Sequence, residues 1–183
     1  MNVAILLWNE VDLLAFSGPG QLFARAGEGG AFHVYTVAET RRPVTSGDFL
    51  TIIPEYTIKN CPRPDVLVVP GGGTFHIVYC KSLLDWLRAA VRPAQAVLVV
   101  SDGIDVLRAA GAPDLPDPVV LGRSGGDAAL EAGSPSGNEI VEQGKVVVAL
   151  SASVAIEAAL LVIARLCGEP LARDAARCAG CGR

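Results

Sequence analysis

Short, uninterrupted apolar runs, each closed by a turn and followed by a segment of helical period, constrain this chain more than any other feature. Val3 to Trp8, Asp65 to Val69 (apolar from Val66 onward) and Ala96 to Val100 are such runs. A strand that is apolar on both faces must be covered on both. Strands of that kind alternating with helices specify an α/β fold, a mostly parallel sheet sandwiched between helical layers. At 183 residues, 51% of them hydrophobic, the chain can bury one substantial core and is short for two domains.

The remaining elements follow from local chemistry. Ser17-Gly18-Pro19 reads as a helix start, with a hydroxyl cap and proline in the first turn, and Gly27 as its stop. Phe32 to Ala38 is a second strand, and Val44 to Ile53 a hairpin or β-arm around Ser46-Gly47-Asp48. Ser82 is placed to cap an amphipathic helix over Leu83 to Val91. A short helix runs from Ser101-Asp102-Gly103 through Ala110, and Gly111 ends it. The stretch 112–137 is rich in Pro, Gly, Asp and Ser and reads as loop, with only Pro118 to Leu121 strand-like. Asn138 to Glu142 and Lys145 to Leu150 form a second hairpin about Gln143-Gly144, and Ala152 to Leu166 an apolar helix. The domain is therefore expected over residues 1–168, with 169–183 a C-terminal tail.

Composition excludes several classes. A net charge of −4 with no basic run argues against nucleic acid and anionic membrane surfaces. The apolar N-terminus lacks the basic flank and cleavage site of a signal peptide, and the stretch 152–166, interrupted by Glu157 and Arg165, is too short to span a bilayer. Five cysteines without an export signal point to reduced thiols and a cytoplasmic location. Cys178 and Cys181 supply only half of a structural zinc site, and no metal or other cofactor is expected.

Ligands of open α/β sheets bind beyond the carboxyl ends of the strands. Three such ends carry suggestive residues: the turn after Trp8, Gly71-Gly72-Gly73 after Pro70, and Ser101 after Val100. The glycines let a backbone approach a ligand and aim N–H groups at an oxyanion, or else form a plain tight turn. Ser101, between a buried strand and a helix, occupies a nucleophile-elbow position. Ser101 and Asp102 are equally good helix caps. A serine nucleophile needs a base; the two histidines are His33, read as a partly buried strand residue, and His76, just past the glycines. Asp102 and His76 are thus the candidate partners of Ser101.

Val3-Ala4-Ile5-Leu6-Leu7, Val11-Asp12-Leu13-Leu14 and Ser17-Gly18-Pro19 together resemble the opening of the ThiJ/PfpI superfamily, in its isonitrile-hydratase-like branch. Val44-Thr45-Ser46, Asp65 through Gly72, Gly103, Leu107 and Ala109-Ala110-Gly111 continue the resemblance, and Ile156 through Leu160 is similar to the family's last helix. The resemblance implies a flavodoxin-like, class I glutamine amidotransferase-like sandwich and a homodimer. In active members an elbow cysteine is assisted by an acidic residue from the turn after the first strand. Here Ser101 stands at the cysteine position and Ala15 at the acidic one, and the family's Thr-His segment after the elbow helix is missing.

The expectation is a non-catalytic or catalytically divergent homodimer that binds a small molecule at the strand ends, with Gly71, Gly72, Gly73 and Gly103 lining the site. The alternative is a hydratase- or hydrolase-type enzyme using Ser101 or an activated water, with His76 or Asp102 as base. Relatives with an appended DNA-binding domain suggest regulation only by association, since no helix-turn-helix tail is present.

Overall fold

A computed structural model describes residues 1–47, 50–113, 115–116 and 140–180. The elements run β1 (Asn2–Leu6), α1 (Leu13–Gly27), β2 (His33–Ala38), β3 (Val44–Ser46), β4 (Leu50–Ile52), β5 (Tyr56–Thr57), β6 (Val66–Val69), α2 (Thr74–Ile77) and α3 (Lys81–Val91). They continue with β7 (Ala96–Val100), α4 (Gly103–Ala109), β8 (Ile140–Gln143), β9 (Val146–Ala149), a 3-10 turn (Ala152–Val154), α5 (Ala155–Cys167) and α6 (Glu169–Cys178). Among the described residues seven strands form the main sheet in the order β5-β2-β1-β6-β7-β9-β8, and β3 and β4 form a separate antiparallel pair. Every pairing in the main sheet is parallel except β8 with β9.

The apolar runs explain that order. Val66–Val69, Val97–Val100 and Val146–Ala149 are at most 1% exposed, so β6, β7 and β9 are covered on both faces, as central parallel strands must be. Both edge strands of the described sheet are blunted: β5 has two residues, and β8 ends in exposed Glu142 and Gln143, with Glu142 paired to Arg165 of α5. Helices α1, α5 and α6 pack together, while α4 packs against α2 and α3. No helix among the described residues is long and apolar enough to cross a membrane.

Four expectations are corrected. Helix α1 begins at Leu13, not at Ser17, because the Asp12 carboxylate accepts the Leu14 N–H at 2.9 Å and supplies the cap. Pro19 lies inside the helix, where it removes only the donor to the Ala15 carbonyl. The flanking glycines let the helix sit close to its neighbours: a Cβ at Gly18 would stand 3.0 Å from Ile156, and one at Gly20 2.8 Å from Ile5. Residues 169–178 are not a tail but helix α6, entered at Pro170 and anchored by Ala172, Ala175 and Ala176 against α1 and α5. Helix α3 starts at Lys81, and Ser82 gives its hydroxyl to Glu39 instead of capping. His33 is exposed at the start of β2, the end of that parallel strand opposite the candidate site.

The hairpins appear where the alternation placed them, although Asp48 lies outside the described residues. The second turns on Gly144-Lys145, one residue later than expected, with Gly144 at φ +56°. The strand-like Pro118 to Leu121 and most of the stretch 112–137 lie outside the described residues.

Candidate functional site

The chain steps from β1 to β2 on one side and later to β6 on the other, so the sheet reverses direction at the β1/β6 boundary. Crevices at such reversals, beyond the carboxyl ends of the strands, are where open α/β sheets take ligands. The loops after β1, β6 and β7 converge there, and glycine sets how closely. A Cβ at Gly72 would meet the Asp12 nitrogen at 2.5 Å and the Glu10 carbonyl at 2.6 Å; one at Gly73 would meet the Asn9 carbonyl at 2.6 Å. Both adopt positive φ, +87° and +57°. The Asp12 N–H donates to the Gly71 carbonyl at 2.9 Å, and the Trp8 indole N–H donates to the Gly72 carbonyl.

The third loop is the elbow. Ser101 holds φ +53°, one of two described non-glycine residues in the left-handed region; Glu10, at +66° in the loop after β1, is the other. Such a conformation costs a side-chain-bearing residue about 1–2 kcal/mol. It is over-determined here. The Ser101 N–H extends the β7–β9 ladder by donating to Ala149 at 2.8 Å. Immediately after it, Gly103 is pressed onto the end of β6, where a Cβ would lie 2.3 Å from the Pro70 carbonyl and 2.6 Å from that of Val69. Gly71 faces the elbow from the other side, its absent Cβ 2.3 Å from Asp102 Oδ1 and 3.2 Å from Ser101 Cβ.

Asp102 is the clasp between these loops. Its Oδ1 accepts the Gly72 N–H at 2.9 Å and its Oδ2 the Thr74 hydroxyl at 3.0 Å. One consequence concerns the glycines: the Gly72 N–H, a candidate oxyanion donor, is already engaged by a carboxylate. The other concerns Asp102, which is held away from the task of a base. Among the described residues no hydrogen bond is made by the Ser101 hydroxyl, with Asp102 or with any other group. His76 is exposed on α2 with its ring 5.4 Å from that of Phe75, and it makes no hydrogen bond to Ser101.

Ala15 is fully buried in the first turn of α1. Asp12 cannot take over an acidic role there without giving up the α1 cap. The structure therefore brings Ser101, Asp102, Gly71, Gly72, Gly73 and Gly103 together, and leaves His76 on the outer side of α2 and His33 at the far end of the sheet. Two supports escaped the sequence reading. Thr74 completes the Asp102 clasp, and Ser46, 1% exposed, donates to the Val11 carbonyl at 2.6 Å and fixes the loop after β1. A hydroxyl beside a glycine turn carries no local signal for either part, since each partner is about 30 residues away.

None of the described cysteines belongs to these three loops. Cys80 is the residue before α3, its sulfur 3.5 Å from the Ser82 hydroxyl. Burial pushes the Cys61 thiol up, against the opposing effect of a hydrogen bond with Trp86. Cys178 is exposed at the end of α6, and Cys181 lies outside the described residues.

Comparison with known proteins fits this frame. Isonitrile hydratase of Pseudomonas putida is 33% identical over 112 residues, which are 61% of this chain and 48% of that protein. The chain thus spans about half the length of this curated relative. Among solved structures, a ThiJ/PfpI family protein from Pseudomonas syringae superposes with a TM-score of 0.80 at 22% identity, over 98% of this chain and 74% of that one. Drosophila melanogaster DJ-1beta gives 0.77 at 17% identity over 100% and 98% of the two chains. An AraC family transcriptional regulator from P. putida gives 0.73 at 21%, over 97% and 98%. These three likenesses establish the fold. The model of the DJ-1/PfpI family matches residues 1–115, more than half of the sequence and the part that builds all three converging loops; the chain belongs to the DJ-1/PfpI family.

Proposed function

We propose that this chain is a catalytically silent or divergent relative of isonitrile hydratase that keeps the strand-end crevice as a small-molecule binding site. The observation that carries the reading is the Asp102 clasp. With both carboxylate oxygens engaged by Gly72 and Thr74, the nearest candidate base is not bonded to Ser101. Ala15, fully buried and apolar, offers neither a proton nor a hydrogen bond at the position where active relatives carry an acid. A hydroxyl is a far weaker acid than a thiol, so without a base it does not attack a polarised carbon at neutral pH. It remains a donor and acceptor for a bound neutral ligand.

The test is formamide production from a simple alkyl isonitrile, with wild type and Ser101→Ala compared. Neither is expected to exceed the uncatalysed rate. Turnover by wild type that Ser101→Ala abolishes would establish the second reading, a hydratase or hydrolase using Ser101 or an activated water. One feature favours that alternative: a serine held at φ +53° is the kind of backbone strain that clusters at active sites.

The assembly we infer is a homodimer. Its support is a groove of about 300 Å³ between α5 and α6, in which Glu169 and Arg173 flank an apolar lining of Leu160, Leu161, Ala164, Ala172 and Ala176. Light scattering over a wide concentration range decides it, a constant monomer mass being the contrary result. A reducing, cytoplasmic setting for Cys61, Cys80, Cys167 and Cys178, all unpaired, belongs to the same reading.

A further inference from the structure

A second cavity, of about 160 Å³, opens on the other side of β1, between the loop that follows β2 and the helices α2 and α3. Neither Ser101, Asp102 nor the three glycines line it. Its wall includes Trp8, whose indole nitrogen is turned into the glycine loop, so the two sites share one partition. The apolar part is supplied by Leu7, Ala38, Val44 and Leu83, each less than 10% exposed. The polar part comes from Glu39, Thr40 and Arg42 in one short segment and from Asn9 after β1, whose Oδ1 already accepts the Thr45 N–H at 3.1 Å.

The arrangement of charge is what makes this cavity informative. Glu39 and Arg42 are of opposite sign and only two residues intervene, yet they do not pair with one another. Among the described residues neither takes part in any ion pair. Glu39 is fixed in another way, by the Ser82 hydroxyl at the start of α3, which occupies Oε1 and leaves Oε2 available. Arg42 is exposed beside it, and its backbone N–H donates to the Thr40 hydroxyl at 3.3 Å. Glu39 and Arg42 thus both line the cavity, unpaired with one another, beside an apolar floor.

A guanidinium matches a carboxylate with two parallel hydrogen bonds, and a carboxylate matches an ammonium by charge-assisted ones. A ligand carrying both groups on one carbon atom, with a short branched apolar side chain, would satisfy the rim and the floor together. A cavity of about 150 Å³ accommodates a guest the size of benzene, about six non-hydrogen atoms, and an open mouth admits two or three more. We propose that this cavity is a binding site for a small zwitterionic α-amino acid with an aliphatic side chain. Its ammonium lies on Glu39, its carboxylate on Arg42 and Thr40, and its side chain on Leu7, Val44 and Leu83. This site does not depend on what Ser101 does.

Isothermal titration with three probes of nearly one shape tests the assignment: L-valine, isobutylamine, which lacks the carboxylate, and isovalerate, which lacks the ammonium. With rim charges in contact with water, L-valine is expected to bind saturably with a Kd on the order of millimolar. Each single-charge analogue should bind at least about tenfold more weakly. Arg42→Gln should weaken L-valine about tenfold and leave isobutylamine unchanged, while Glu39→Gln should weaken L-valine and leave isovalerate unchanged. Arg42→Lys keeps the charge but not the fork and should fall between wild type and Arg42→Gln. Circular dichroism checks that each variant is folded. The assignment is overturned by no saturable L-valine binding up to about 50 mM, by analogues that bind as well as L-valine, or by folded variants that bind L-valine like wild type.

Discussion

Replacing Ser101 by glycine separates strain from bonding at the elbow, and the structure gives the sign. At φ +53° a serine pays about 1–2 kcal/mol that glycine does not. Glycine loses more backbone entropy on folding, which offsets about 0.5–1 kcal/mol of the gain. The hydroxyl has no hydrogen-bond partner among the described residues, so its removal adds nothing to the loss side. The net expectation for Ser101→Gly is a stabilisation of about 0.5–1 kcal/mol. For a domain of this size that is a melting temperature raised by about 1–4 °C. Ser101→Ala keeps the strained backbone and removes the same hydroxyl, so it should stay within about 0.5 kcal/mol of wild type. Urea unfolding followed by circular dichroism measures both, with unchanged m-values required for the comparison. If Ser101→Gly and Ser101→Ala both lose more than about 1 kcal/mol, the hydroxyl is bonded in the folded protein and the reasoning about an idle serine fails.

Asp102→Ala removes the acceptor of two hydrogen bonds and should destabilise the fold by about 1.5–3 kcal/mol, with Asp102→Asn retaining part of the loss; an unchanged urea midpoint would show that the clasp carries no energy. Deleting residues 169–183 should cost about 2–4 kcal/mol, because it strips Ala172, Ala175 and Ala176 from α1 and α5; a truncated chain melting with wild type would return that segment to the status of a tail. Tyr35 is 2% exposed and donates to the Pro62 carbonyl, and burial, assisted by Cys61 and Asp65, pushes its phenol well above the ordinary value. A group raised on folding stabilises fully below its unfolded pKa, so stability should fall as pH rises past about 10. Tyr35→Phe should flatten that alkaline limb, and an identical limb in the variant would assign it to other groups.

The fold was legible because its central strands are apolar throughout, a signal that survives without any partner in view. The elbow was legible for a related reason: a small residue between a buried strand and a helix has few other places to go. Proline is a strong local signal and points to a start at Ser17, whereas the helix starts at the Asp12 cap, and the approach of Gly18 and Gly20 to Ile156 and Ile5 is tertiary. Helix α6 was missed because its buried stripe is alanine, which carries little hydropathy. Asp102 was legible as a cap or a base, but its use as a clasp depends on Gly72 and Thr74, residues far off in the chain and near only once the sheet has formed.

The way the three loops lock together bears on how such a protein can drift. Gly72, Gly73 and Gly103 are required by backbone atoms of neighbouring loops, at separations that leave no room for a methyl group. Any sequence that folds into this sheet with these loops needs them, whether or not a reaction follows. The frame of the site is thereby a requirement of folding, separate from whatever reactive side chain stands at the elbow. Lineages of this architecture can lose a chemistry and keep its outward signature, so a glycine motif read by itself reports on foldability, and the residue standing at the elbow reports on catalysis.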